Sequence, residues 1–189
     1  MRKLLSIILA CFITCSLVGC SNTQNQDQPE KEESVKNTLE ILTKVWESYP
    51  DTDKFAATGG DYNHTVENAP GEFDINDKES LSFLLVVPDD AAAYLDQASS
   101  LMHAMNANTF TSAAFHITAA KNTETFVNSY KEALLNNQWM CGFPEQLLFV
   151  QINSDYVVSA FGNGEMIQTF KTALTKQYPS AEILAEENL

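Results

Sequence analysis

The sequence predicts an α+β domain, with N-terminal helices packed on a β-α-β-β-α-β antiparallel sheet unit. Three observations carry that reading. Residues 34–49 place apolar side chains at helical spacing. From residue 109 onward, two-residue and 3.6-residue apolar periods alternate in the order strand, helix, strand, strand, helix, strand. The stretch from Cys20 to Leu189 is long enough for one substantial core, without a clear second one.

In chain order, "MRKLLSIILACFITCSLVGC" joins a positive start, Arg2 and Lys3, to an apolar run from Leu4 to Val18. The run is shorter than the roughly 20 residues a membrane-spanning helix needs. Its charged start and small-residue end read as a secretory signal. Leu17-Val18-Gly19-Cys20 resembles the lipobox of bacterial lipoproteins. The resemblance implies a signal peptide over 1–19, a diacylglyceryl thioether on Cys20, and a mature protein held on a bacterial membrane outside the cytoplasm. Two or three acyl chains, at about 0.8 kcal/mol per buried methylene, anchor stably. Residues 21–33, "SNTQNQDQPEKEE", carry no large apolar side chain. Such a stretch cannot offset its chain entropy by burial, so 20–33 is expected to be a disordered tether.

Removal of Arg2 and Lys3 with the signal leaves nine lysines against 25 carboxylates, a net charge of −16. Phosphate backbones are bound by concentrated Lys and Arg, so a nucleic-acid partner is excluded. The same charge argues against lying flat on anionic lipid. Cys11 and Cys15 leave with the signal and Cys20 is lipidated, so Cys141 is the remaining free thiol. Neither an intramolecular disulfide nor a cysteine metal cluster can form.

Within 34–189, read as one domain, Ser34 is a candidate cap for a helix to about Tyr49. Its stripe is Val35, Leu39, Leu42, Trp46 and Tyr49, and Pro50 is the stop. Residues 51–76 show no sustained period and read as a long loop pinned by Phe55, Tyr62 and Phe73. Asp77 caps a short helix using Leu81, Leu84 and Leu85. Pro88 opens another, with Ala91, Tyr94, Leu95, Ala98, Leu101, Met102 and Met105 as its stripe, so 34–106 is expected to be mainly helical. "TFTSAAFHIT" follows as a strand, with Ala113, Phe115 and Ile117 on one face and Ser112, Ala114 and His116 on the other. Thr123 to Asn137 is a helix. "QLLFVQIN" and "DYVVSAFG" form a hairpin about Asn153-Ser154-Asp155. A helix using Met166, Ile167, Phe170, Leu174 and Tyr178 ends at Pro179, and "AEILA", 181–185, is a last edge strand. This is the element order of a ferredoxin-like unit, which predicts both helices on one face of the sheet.

The chemistry-bearing residues are few. Cys141 lies in "QWMCGFPEQ" without a neighbouring cation or second cysteine, and its apolar surroundings predict a buried structural thiol. The enzymatic alternative makes it a reactive thiol activated by His103 or His116. The three histidines lack metal-ligand spacing, and Gly-x-Ser-x-Gly and Gly-Lys-Ser/Thr motifs are absent. No cofactor is therefore expected. The acidic 51–77 loop admits an irregular Ca²⁺ site, although its Asp-rich windows fail the EF-hand pattern. The leading expectation is a membrane-anchored module that binds a protein or small molecule. Its candidate contacts are Gly60, Asp61 and Asn63 in the loop, with His103 and Trp139. A structural or assembly role in the cell envelope, through the 35–49 stripe, is the third reading.

Overall fold

The computed structural model describes residues 34–189. The expected signal peptide, lipidated Cys20 and tether fall on residues 1–33, outside the described residues. The first helix, α1 (Thr38–Glu47), starts later than expected because Asn37, and not Ser34, caps it: Asn37 Oδ1 accepts the Glu40 N–H at 2.8 Å. Its buried stripe is Ile41, Leu42, Val45 and Trp46, continued by Tyr49.

Residues 51–76 hold three short strands in place of an irregular loop: β1 (Ala57–Gly59), β2 (Val66–Glu67) and β3 (Gly71–Phe73). Two or three residues are too few to display an alternation. Asp77 caps α2 (Lys78–Leu84) as expected, accepting the Ser80 N–H at 3.0 Å. The helix begun at Pro88 lasts one turn, α3 (Asp89–Ala92), and the chain then becomes β4 (Leu95–His103). This corrects the expected long helix. Ala98 and Met102 face one core and Leu101 the other. A strand covered on both faces reads as a continuous apolar run, which periodicity alone cannot separate from a buried helix.

The remaining elements follow the sequence reading. They are β5 (Phe110–Ile117), α4 (Thr123–Leu135), β6 (Gln146–Ile152), β7 (Tyr156–Gly162), α5 (Gly164–Gln177) and β8 (Glu182–Asn188). All strand pairs are antiparallel, in the order β2-β1-β4-β5-β7-β6-β8, and β3 shares the free side of β4 with β1. The fold is α+β.

The helices cover both faces of this sheet. Leu81, Ala91, Phe126 and Tyr130 pack with Phe115 and Phe149 on one face. Ile41, Trp46, Ile167 and Phe170 pack with Phe110 and Leu148 on the other. So α4 and α5 lie on opposite faces, not together. The connections β5-α4-β6 and β7-α5-β8 each skip one strand in the same lateral direction, but β5 and β7 run antiparallel. Right-handed crossovers must then fall on opposite sides.

Candidate functional site: an apolar groove at one end of the sheet

Where β4 and β7 end and β5 and β6 begin, a groove of about 390 Å³ opens on the α4 face. One wall is the end of α2 and the turn after it, with Phe83, Leu84 and Val86. The other is the segment between α4 and β6, with Trp139, Met140 and Cys141, and Phe161 also lines the groove. Phe83 is 75% exposed and Met140 90%. Met105 and Phe143, beside Asn106 and Gly142 in the chain, are similarly open at 86% and 79%. Exposed apolar side chains gathered in this way mark interaction surfaces.

Local chemistry explains both walls. Val86 has φ +59°, a left-handed conformation that a β-branched residue adopts at a cost of order 1–3 kcal/mol. Its neighbours hold it there. Leu85 and Val87 are buried, the Val87 N–H donates to Leu81 O at 3.2 Å, and Tyr130 Oη donates to Leu85 O at 2.5 Å. The turn ends α2 and leaves Phe83 facing solvent. On the opposite wall, Trp139 packs on Phe161 with ring centres 5.3 Å apart. Asn106 Nδ2 donates to Cys141 O at 2.7 Å and Asn108 Nδ2 to Gly142 O at 3.1 Å. Two side-chain amides thus grip the backbone of the 138–143 segment. Among the described residues that line the groove, none besides Cys141 has an ionisable side chain.

Trp139 and Cys141 are brought together here, and Cys141 is exposed. This corrects the expected buried thiol: Trp139 takes the interior place, and the carbonyl bonds to Asn106 and Asn108 hold the next residues at the rim. His103 lies nearby without touching the groove. Its ring stacks on Phe55 at 5.5 Å, and its Nδ1 accepts the Met105 and Asn106 N–H groups at 3.3 and 3.4 Å. It shapes the β4–β5 connection that carries Asn106. His116 sits at the far end of β5 between two carboxylates, Nδ1 at 2.5 Å from Asp96 and Nε2 at 3.3 Å from Asp155. Burial alone would lower its pKa, but the two carboxylates raise it above the ordinary value. Neither imidazole is bonded to the Cys141 sulfur.

The loop candidates form a separate knot. Asp61 has a fully buried side chain. Its Oδ1 accepts the Asn63 and His64 N–H groups at 2.8 and 2.9 Å, its Oδ2 accepts the Asp74 N–H at 2.9 Å, and His64 Nδ1 lies 3.1 Å away. Burial would raise the carboxyl's pKa, but these donors outweigh it and hold the group below the usual range. Gly60 O accepts from Ser100 Oγ at 2.9 Å, and the exposed Asn63 reaches Asp77 at 3.5 Å. Gly60 has φ +83°, and a Cβ there would stand 2.0 Å from His64 O. Among the described residues no group of three or more His, Cys, Asp or Glu side chains is placed to hold a metal ion.

Phe83, Val86, Met140, Asn106 and Asn108 were missed as site residues by sequence reasoning. The Asn106-Ala107-Asn108 pair of amides was visible as a turn, but its hold on residues 35 positions away has no local signature. Compared with protein-family models, curated proteins and solved structures, the chain matches none of them.

Proposed function

We propose that this is a membrane-anchored extracytoplasmic lipoprotein that binds a partner protein, and that a neutral, apolar segment of that partner occupies the groove between Phe83 and Met140. The observation that carries the reading is the groove itself. In a chain of net charge −14, it presents large exposed apolar side chains and no carboxylate or ammonium. An uncharged wall in a strongly acidic molecule favours an uncharged occupant, because a buried unpaired charge is costly. The unbonded side-chain amides of Asn137 and Gln138 suit the peptide groups of such a segment.

The position of the groove favours a protein over the bilayer. The described chain enters at Ser34, and Thr38 is fastened to Gln97 and Ser99 near the start of β4. The groove lies past the other end of that strand, roughly 13–20 Å along it from Ser99 and Gln97, and on the opposite face. A groove at the far end of the strand, on the face away from the chain's entry, is open to a protein partner. The 35–49 stripe is less suited to a partner because it is spent inside the molecule.

Cys141 supplies the test. A benzophenone maleimide on this thiol, photolysed in envelopes of the native host, is expected to give one discrete protein adduct. The adduct should disappear in a folded Phe83→Asp, Met140→Asp double variant. Absence of an adduct, or one that persists in the variant, refutes the reading.

A further inference from the structure

A second cleft lies at the same end of the sheet as the groove but on the opposite face, between the segment after α1 and the first half of α5. Its narrow part, about 190 Å³, is lined by Tyr49, Asp53, Phe55, Glu165, Met166 and Thr169. Its wider part, about 430 Å³, shares Tyr49, Asp53, Glu165 and Thr169 and runs along α5 to Lys176.

Tyr49 is the informative residue. It is only 5% exposed, yet it borders both parts of the cleft. Its ring is fixed against Trp46 at 5.3 Å. Among the described residues no hydrogen bond reaches its hydroxyl, and that hydroxyl is not among the polar atoms sealed from solvent. A tyrosine hydroxyl held at a cleft wall without a protein partner is free to meet a ligand's polar group. Two carboxylates share the narrow part with it. Asp53 accepts only the neighbouring Thr52 hydroxyl, at 3.0 Å, and the Glu165 side chain is in no ion pair with a described residue. Phe55 and Met166 complete the narrow part, in which no Lys, Arg or His takes part. Carboxylates, an aromatic face and a hydroxyl acceptor together recognise an ammonium group.

The far end selects further. Glu165 and Lys176 are eleven positions apart on α5, about 16 Å along the helix axis. That separation equals about five extended residues. A second ammonium would meet Lys176, whereas a carboxylate would pair with it.

We propose that this cleft binds the free amino terminus of a short zwitterionic peptide, its ammonium between Asp53 and Glu165 against the Tyr49 hydroxyl and its carboxylate toward Lys176.

Trp46 provides the readout, since it touches Tyr49 and Phe55, and Trp139, the other tryptophan, can be replaced by Phe. Tetra-alanine, titrated into the folded domain, is expected to shift Trp46 fluorescence saturably. N-acetyl tetra-alanine should bind at least about tenfold more weakly, because a hydrogen bond to a charged group is lost. Tyr49→Phe should weaken tetra-alanine by a similar factor while leaving the ring packing intact. Glu165→Gln, on an exposed residue, gives the same expectation should the Tyr49 variant fail to fold. Cadaverine should bind more weakly than tetra-alanine. No saturable tetra-alanine signal up to 10-millimolar order, equal binding of the acetylated peptide, unchanged affinity in both variants, or preference for cadaverine overturns the proposal.

Discussion

Replacing Asp61 by alanine tests whether the 57–77 segment is held by one carboxylate. Its side chain is fully buried and accepts three backbone N–H groups, from Asn63, His64 and Asp74, within 2.9 Å. Alanine leaves all three without their acceptor. At about 1–1.3 kcal/mol for each of the three donors, the loss is roughly 3–4 kcal/mol. For a domain of this size each kcal/mol moves Tm by about 2–4 °C, so Asp61→Ala should lower Tm by roughly 6–16 °C in differential scanning calorimetry at pH 7. The Asp61→Asn variant retains one acceptor oxygen and turns an amide toward the Asp74 N–H, so its Tm should fall between those of wild type and the alanine variant. The pH dependence has a definite sign. The folded carboxyl's pKa lies below its unfolded value of about 3.9, so its contribution is complete at neutral pH and fades as pH falls through the folded pKa. The gap between wild type and Asp61→Ala should therefore narrow below about pH 4. A Tm change under about 2 °C at pH 7, or a gap that widens in acid, would refute the reasoning.

Three further expectations concern other parts of the fold. Gly60→Ala places a Cβ 2.0 Å from His64 O at φ +83° and should cost at least about 2 kcal/mol in urea denaturation, against little for an exposed alanine substitution elsewhere. His116 has a folded pKa above its ordinary value of about 6.5, so its bonds to Asp96 and Asp155 stabilise fully below that pH and are lost as pH rises through the folded value. Wild-type stability should thus fall relative to His116→Gln as pH rises above about 6.5, and a flat difference would contradict the assignment. Asn106→Ala with Asn108→Ala removes the amides that grip Cys141 O and Gly142 O, and should speed hydrogen exchange over 138–143 while leaving β6 and β7 protected.

Much of the architecture could be read from the sequence where one periodicity held over a whole element. The Leu42, Trp46 and Tyr49 part of the first stripe, the hairpin about Asn153 and the two late helices are of this kind, whereas Ile41 and Val45 take the buried places expected of Val35 and Leu39. The conversion of residues 95–103 from helix to strand was illegible because β4 places residues in the cores on both faces of the sheet, erasing the alternation. The placement of α4 and α5 on opposite faces depends on where β8 adds to the sheet, and that is decided by its pairing with β6, which no local pattern announces. The groove was half legible. Trp139 and Cys141 stood out as unusual residues in an apolar stretch, but Phe83 looked like one more helix residue until the strained turn at Val86 placed it opposite Met140. Asp61 was read as a candidate ligand contact, and in the fold it satisfies backbone donors of its own loop, an arrangement that local composition cannot distinguish from an open ligand site.

The central claim joins an address to a surface, and thiol accessibility tests both at once. Cells of the native host with an intact cytoplasmic membrane would be treated with a membrane-impermeant maleimide, and modification of Cys141 followed by mass spectrometry. The account predicts that Cys141 is labelled while cytoplasmic thiols are spared, and that labelling is faster in the Phe83→Asp, Met140→Asp variant, from which the partner is released. Labelling only after lysis, or the same rate in both proteins, would contradict it.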